Sequence, residues 1–124
     1  EAGDDAIEGP FDGEESITLM PDLDAGATGT MPSALLPDLI REVVVHHREG
    51  RRHEAAAAYA RILPLINFEN RQCGLRATKT VMAEGGVIAS DAVRHPLEPL
   101  HPATRAGLLE LARAANPLSL RWGR

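Results

Sequence analysis

Cysteine and aromatic residues are scarce in this sequence, and both shortages restrict the class of protein. Cys73 is the only cysteine, so no disulfide can form within the chain, and a reducing cytoplasmic location is the simplest expectation. Phe, Tyr and Trp together make up 3% of the residues. The core must therefore be built from Leu, Ile, Val and Ala, which favours helices packed on a covered sheet over an antiparallel sandwich.

Basic residues are absent from positions 1–24, which carry nine acidic side chains, while all 13 Lys and Arg residues follow. This acidic start is either a solvated tail or a charged rim around a site. The later positive charges are spread over several predicted helices without interleaved aromatics, so no nucleic-acid partner is expected. No apolar run approaches the ~20 residues of a membrane span, and no basic-then-apolar leader is present, so no membrane association or secretion is expected.

A glycine-rich run of small residues, DAGATGTMP at 24–32, predicts the element around which the chain is organised. The β-branched and apolar residues at 27–31, flanked by Gly and Pro, are typical of a short parallel strand buried on both faces. A second strand is expected at 6–11, before a turn at 12–13. Two short parallel strands leave open edges and cannot enclose a core. The sequence therefore predicts the end of a larger sheet protein.

Proline, glycine and the spacing of apolar residues predict the helices. Acidic residues at 14–15 indicate the first turn of a helix over 16–24, with a kink or restart at Pro21. The next helix begins at Pro37 and stops at Gly50. Three more are expected: 52–67 with an interruption at Pro64, 74–84, and 102–115. Strands alternating with helices, followed by a helical block, indicate a parallel sheet with a helical appendage.

Motifs for other chemistries are weak. The GATGT run has neither P-loop nor dinucleotide-fold spacing, and DLDAGA lacks the distal Glu of a calcium loop. The helical histidines His46 and His47 point about 100° apart, so a surface or packing role is favoured over a metal site. The polar residues at 67–72 form either an interface or a solvated helix end. Trp122 is expected to anchor the tail on neighbouring protein.

Six segments together carry a family resemblance. Five are GEES at 13–16, AGATGTM at 25–31, LLPDL at 35–39, GRRHEAAAAYARILPLI at 50–66 and VRHPLEPLHPATRAGLLEL at 93–111. Their order and spacing resemble the C-terminal part of the dihydrodipicolinate synthase and N-acetylneuraminate lyase family of class I pyruvate-type aldolases. The sixth, INFENRQCGLRATKTVMAEGGVI at 66–88, is most similar to the family members that dehydrate 2-keto-3-deoxy-L-arabonate.

The resemblance implies an α/β fold, the C-terminal portion of a (β/α)8 TIM barrel, with about the last two βα units at 1–49 and a three-helix C-terminal extension at 50–124. It implies a lyase in which a lysine condenses with the 2-keto group of a sugar acid. The protonated Schiff base is an electron sink that lets a proton leave C3 and a hydroxyl leave C4, towards 2,5-dioxopentanoate. No cofactor is implied. The implied partners are the 2-keto acid, the remainder of the barrel and further copies in a dimer or tetramer.

The resemblance also implies which residues contact the substrate. The family's Schiff-base lysine and its partner tyrosine lie on strands that would precede Glu1, so no catalytic residue is expected in this chain. Gly13 matches the glycine at the end of strand seven, where substrate comes close to the backbone. Thr30 and Met31 match strand-eight positions beside the pyruvate-like end of the substrate, where main chain suffices. Tight packing in a barrel is the alternative explanation for these small residues.

The only lysine, Lys79, and the only tyrosine, Tyr59, fall on extension helices and not at strand ends. Tyr59 is expected to pack with a hydrogen-bonded hydroxyl. Pro32 and Ser33 depart from the family pattern at the strand-eight loop. Two alternatives stay open: another member of the family, such as 4-hydroxy-tetrahydrodipicolinate synthase or a 2-keto acid aldolase, and an independent helical interaction domain without chemistry.

Overall fold

The computed structural model describes residues 8–124, an α/β fold that is mostly helical with a small two-stranded sheet. The strands are β1 (Phe11–Asp12) and β2 (Gly29–Thr30). The helices are α1 (Leu19–Asp24), α2 (Pro37–Arg48), α3 (Arg52–Asn67), α4 (Leu75–Glu84) and α5 (Pro102–Ala115). A π-helical segment (Phe68–Cys73) joins α3 to α4, and short 3-10 turns lie at Glu14–Ser16 and Leu118–Leu120. No helix within these described residues is both long and apolar enough to cross a membrane.

The sheet confirms the predicted parallel pairing but not its predicted burial. Phe11 lies opposite Gly29, and Asp12 lies opposite Thr30. The strand expected at 6–11 begins only at Phe11 among the described residues, and positions 6 and 7 lie outside them. Met31, expected in a strand covered on both faces, is 63% exposed, and Phe11 is 55% exposed. Both outer edges of this sheet are open because no further strand pairs with it within residues 8–124.

The segment between the strands differs most from expectation. Residues 14–16 were predicted to open a helix, but they form a left-handed turn with φ angles of 49°, 53° and 69°. The α-helix begins only at Leu19 and continues through Pro21, so the predicted kink or restart at Pro21 is wrong. Pro21 lies in the first turn of α1, where a missing N–H costs no helical hydrogen bond. The acidic side chains at 14–15 therefore do not face a helix N-terminus.

Helices α2 and α3 form an antiparallel hairpin that carries much of the core. Pro37 is the first residue of α2, as predicted, and Gly50 reverses the chain with a φ of +75°. The small buried side chains of Ala55 and Ala58 let the two helices approach closely. The predicted interruption at Pro64 is wrong, because α3 continues to Asn67. Leu65 and Ile66, beyond the proline, are fully buried, and this packing offsets the lost hydrogen bond.

The C-terminal residues 117–124 form a strap across α2 and α4. Ser119 Oγ donates to the carbonyl of Leu35 at 2.7 Å, and the amide of Gly123 donates to the carbonyl of Gly85 at 3.0 Å. Gly85, correctly predicted to end α4, lies so close to the strap that an added Cβ would be 2.1 Å from the Ser119 carbonyl oxygen. The strap thereby ties the end of the chain to the segment before α2 and to the end of α4.

An ion cluster at the end of α1 links that helix to α2 and α3. Asp24 accepts hydrogen bonds from Arg52 Nε at 3.0 Å and lies 3.0 Å from His47 Nε2. Arg52, and then His47, lower the pKa of Asp24 from 3.8 to about 2. The ionised carboxylate is therefore the form that the fold stabilises.

The substitution Asp24→Asn is expected to lower the melting temperature of the intact protein at neutral pH. Since the folded-state pKa lies below the unfolded-state value, the contribution of Asp24 is present above about pH 4 and is lost as the pH falls towards about 2. The difference in melting temperature between wild type and variant should thus be constant from about pH 7 to 5 and shrink below about pH 4. Glu110→Gln, an exposed change on α5, is the control and should show no such trend. A difference that stays constant on acidification would contradict the assignment.

Candidate functional site

The candidate site lies where the two strands end. Because β1 and β2 run parallel, their carboxyl ends meet at one edge, and ligands of α/β folds bind at that edge. The amide of Met31 donates to the carbonyl of Asp12 at 2.9 Å. This bond extends the pairing past β2, so Gly13 and Met31 come next to each other just beyond the strands.

Three polar side chains, Asp12, Ser16 and Thr30, form a hydrogen-bonded group that we call the strand-end cluster. Asp12 is 3% exposed and Ser16 is fully buried. Thr30 Oγ1 donates to Asp12 Oδ2 at 2.5 Å and lies 2.6 Å from Ser16 Oγ. Since a hydroxyl has one proton and that of Thr30 goes to the carboxylate, Ser16 is the donor in the second bond.

Burial raises the pKa of Asp12 above 3.8, with the Thr30 hydrogen bond opposing this shift and the nearby Asp22 carboxylate adding to it. The donors of the cluster are already used within the chain. The cluster is therefore better suited to holding the two strand ends in register than to transferring a proton.

The strand-end turn (Glu14–Ser16) follows directly and is conformationally strained. Three successive non-glycine residues have positive φ angles. A left-handed residue other than glycine costs about 1–2 kcal/mol, so the turn requires compensation of order 3–6 kcal/mol from its surroundings. Strain of this kind is concentrated at functional sites.

Side chains of α3 and the π-helical segment supply contacts to this turn. The Tyr59 hydroxyl, on α3, lies 2.8 Å from the carbonyl oxygen of Ser16 and 2.6 Å from that of Ile17, and its single proton is shared between these two acceptors. Burial raises the pKa of Tyr59 above 10.0, so its hydroxyl stays protonated. Asn70 Nδ2, on the π-helical segment, donates to the Glu14 carbonyl at 3.1 Å and to Glu15 Oε2 at 2.7 Å.

A cavity of about 470 Å³ lies between the strand-end turn and α4. Its polar lining includes Glu15, Ser33, Glu69, Thr78 and Lys79. Glu69 is 3% exposed and accepts a hydrogen bond from Thr78 Oγ1. Burial raises the pKa of Glu69 above 4.5; the hydroxyls of Ser33 and Thr78 oppose the shift, and the charge of Glu15 adds to it. These side chains place carboxylates and hydroxyls beside the strand ends.

The three residues expected to contact substrate are brought to one edge. Gly13 has an ordinary φ of −118°, and an added Cβ would meet no atom of the described chain within 4 Å. Met31 is largely exposed. The Thr30 hydroxyl is taken up by the strand-end cluster, which leaves its main chain for a ligand. Substrate contact by these residues stays a prediction.

Several polar residues of the site were missed in the sequence. Asp12 was expected in a turn and Ser16 in a helix, but both are buried in the strand-end cluster. Of the polar residues at 67–72, Glu69 and Asn70 face the strand-end turn and the cavity, whereas Arg71 and Gln72 are exposed. The sequence offered one signal for this site: Asp12 is a polar residue directly after the predicted strand, where binding residues are often found.

The other residues singled out in the sequence contact groups of the chain itself or solvent. Tyr59 packs with a hydrogen-bonded hydroxyl, as predicted. Lys79 Nζ donates to the carbonyl of Ala92. His46 Nδ1 accepts from Arg51 Nε at 3.1 Å, and no group of three or more His, Cys, Asp or Glu side chains within residues 8–124 is arranged to hold a metal ion. Trp122 is 68% exposed.

The class of protein follows from this fold, its strand ends and the sequence together. Residues 9–115 match the profile of the Dihydrodipicolinate synthetase family, and the chain belongs to that family. The resemblance that the six segments indicated is thereby confirmed.

Two relatives make the comparison more specific. The chain is 58% identical over 120 residues to an L-2-keto-3-deoxyarabonate dehydratase of Azospirillum brasilense; the match covers 97% of this chain and 39% of that protein. The crystal structure of a dihydrodipicolinate synthase from Rhodopseudomonas palustris superposes with a TM-score of 0.77 and 30% identity, over 82% of this chain and 34% of that one. The chain thus spans about two fifths of the length of its curated relative.

Proposed function

We propose that this chain is the C-terminal part of a hydro-lyase that dehydrates 2-keto-3-deoxy-L-arabonate to 2,5-dioxopentanoate. The observation that carries the proposal is the 58% identity to a dehydratase over nearly the whole chain. It is much higher than the 30% identity to the dihydrodipicolinate synthase, although both relatives support the family. The strand-end residues then form part of the substrate-binding face.

The chemistry of the proposed reaction requires an electron sink at C2. A lysine outside this chain forms a protonated Schiff base there, which acidifies C3. Loss of the C3 proton gives an enamine, and the enamine expels the C4 hydroxyl as water. A proton then moves from C5 to C3, the resulting C5 enol becomes an aldehyde as C4 is protonated, and hydrolysis frees the lysine. One water is lost overall.

Within this scheme the chain contributes binding and shape. Gly13 brings main chain close to the substrate at the end of β1, and the main chain of Thr30 and Met31 lies beside the 2-keto end. The Asp12–Thr30 bond holds the two strand ends in register. Because reaction rates depend steeply on the alignment of reacting groups, a rigid strand end is useful for catalysis even without a catalytic side chain.

The proposed place in the whole protein is the last two βα units of a (β/α)8 barrel, with α3, α4 and α5 as the helical extension. A complete barrel takes about 250 residues, more than this chain has. The open edges of the two-stranded sheet and the exposed side chains of Phe11 and Met31 support this placement, since a parallel sheet is normally covered on both sides. The remainder of the barrel is then the partner of these edges, and a dimer or tetramer of the whole protein is part of the same proposal.

An assay of the intact protein tests the proposal. The protein is incubated with 2-keto-3-deoxy-L-arabonate, 2,5-dioxopentanoate is quantified, and parallel samples are reduced with borohydride and mapped by peptide mass. We expect product and a secondary-amine adduct on a lysine outside residues 1–124. An adduct on Lys79 would refute the assignment of the catalytic lysine. Absence of both product and adduct would refute the function.

A synthase or aldolase activity is the alternative within the family. The likeness to the dihydrodipicolinate synthase is the observation that supports it. Dihydrodipicolinate synthase activity, measured in the same preparation, separates the two activities. Turnover in that assay without dehydration of the sugar acid would favour the synthase.

A further inference from the structure

We propose that Tyr59 and Asn70 are positioning residues through which the helical extension sets the shape of the substrate-binding face. The inference rests on the proposed function and adds a role for the helical extension, which contributes no strand to the substrate-binding face. Both residues lie on the extension, and both bind the strand-end turn that follows Gly13.

The strand-end turn sets the orientation of Gly13. The amide of Ser16 donates to the carbonyl of Gly13 at 3.0 Å, which closes the left-handed turn onto the residue proposed to contact substrate. Relaxation of Ser16 to a right-handed conformation would break this bond and reorient the Gly13 carbonyl. The orientation of Gly13 therefore depends on the turn staying left-handed.

The extension holds the turn at both of its ends. Tyr59 binds the carbonyls of Ser16 and Ile17 at its end, and Asn70 binds the Glu14 carbonyl and the Glu15 carboxylate at its start. Tyr59 is 7% exposed, so water competes weakly for these carbonyls. The two side chains come from different elements, α3 and the π-helical segment, and together bind four successive residues, 14–17.

The π-helical segment brings Asn70 to the turn. A π-helical turn shifts the phase of a helix and is frequent at functional sites. Here the segment directly follows α3 and carries Asn70 to the strand-end turn, while its neighbours Arg71 and Gln72 stay exposed. The π-helical turn therefore directs the side-chain amide of Asn70 towards the strand-end turn.

Kinetics of Tyr59→Phe, Asn70→Leu and the double variant test the inference in the intact protein. Each single change removes the hydrogen-bonding group and keeps most of the side-chain volume. We expect each to raise KM for the sugar acid about 3- to 10-fold with kcat within about 2-fold, since each removes one or two hydrogen bonds. Because both residues hold one turn, the KM of the double variant should rise by less than the product of the two single effects.

Gln72→Ala, an exposed change on the same π-helical segment, is the matched control and should keep the wild-type KM. Melting temperatures are measured in parallel to detect general loss of structure. An unchanged KM in both single variants, with or without a lower melting temperature, would overturn the positioning role. Strictly multiplicative effects would overturn the shared turn. A wild-type protein without dehydration would refute the proposed function itself, whereas normal wild-type activity with unaffected variants refutes only this inference.

Discussion

Replacing Gly13 with alanine is expected to lower kcat/KM for the sugar acid by roughly 10- to 100-fold, because small displacements at a reacting centre carry costs of that size. The fold itself should tolerate the change. Gly13 has a negative φ, and an added methyl group would meet no atom of the described chain within 4 Å. The space that the methyl group enters is the space we propose for the substrate. Steady-state kinetics and a thermal melt of the same preparation measure the two effects.

Gly107→Ala is the matched control for this experiment. Gly107 lies within α5, where an added Cβ would be 3.8 Å from the Phe68 ring, an ordinary contact. Alanine in a helix interior is favoured over glycine by about 1 kcal/mol, so this variant should be fully active and slightly more stable. Wild-type kinetics in Gly13→Ala would remove Gly13 from the binding site and favour tight packing as the reason for its small size.

Replacing Thr30 with valine is expected to destabilise the protein by about 1–3 kcal/mol, the cost of leaving buried polar groups without partners. Valine keeps the shape and the main chain but removes the hydroxyl that joins Asp12 to Ser16. The buried carboxylate then loses its hydrogen-bond donor from β2. Activity should fall as well, because the strand ends lose a bond that fixes their register.

The loss of stability caused by Thr30→Val should grow as the pH rises. The pKa of Asp12 is already raised by burial, and removing the Thr30 hydrogen bond, which opposes that shift, raises it further. A group with a raised folded-state pKa contributes stability below its unfolded-state pKa and loses it as the pH rises through the folded-state value. Urea unfolding of wild type and variant at about pH 5 and pH 8 should therefore show the larger difference at the higher pH.

Thr28→Val is the same substitution two residues earlier and serves as the control. The Thr28 hydroxyl oxygen is buried and has no hydrogen-bond partner within the described part of the chain. Its removal should change the free energy of unfolding by no more than about 0.5 kcal/mol. If Thr28→Val cost as much as Thr30→Val, the special role of the strand-end cluster would be disproved.

Local signals predicted much of the helical architecture. Pro37 marks the start of α2, Gly50 marks the turn after it, and Asn116 ends α5 in a left-handed conformation. These residues act on their own backbone, so a single sequence is enough to interpret them. The parallel pairing of two short strands was predicted for a similar reason, since small and β-branched residues flanked by Gly and Pro are typical of short parallel strands.

The candidate site was predicted less completely. Gly13, Thr30 and Met31 were placed at one edge in advance by family resemblance. The burial of Asp12 and Ser16 was not foreseen, because an acidic or hydroxyl side chain near a turn is usually solvated. The polar residues at 67–72 were left open between an interface and a helix end; Glu69 and Asn70 make contacts within the chain, and an interface with other protein stays a prediction.

The amino-acid order by itself thus determined where α2, α3 and α5 begin and end, which short segments pair, and the family to which the chain belongs, because each depends on neighbouring residues or on their order. Only the tertiary structure decided that residues 14–16 form a left-handed turn and that α3 passes through Pro64. The turn depends on Tyr59 and Asn70, about 40 to 55 positions further along the chain, and α3 depends on the packing of Leu65 and Ile66. Contacts of that range outweigh local preference, since their energy comes from burial and hydrogen bonding between segments that meet only after the chain has folded.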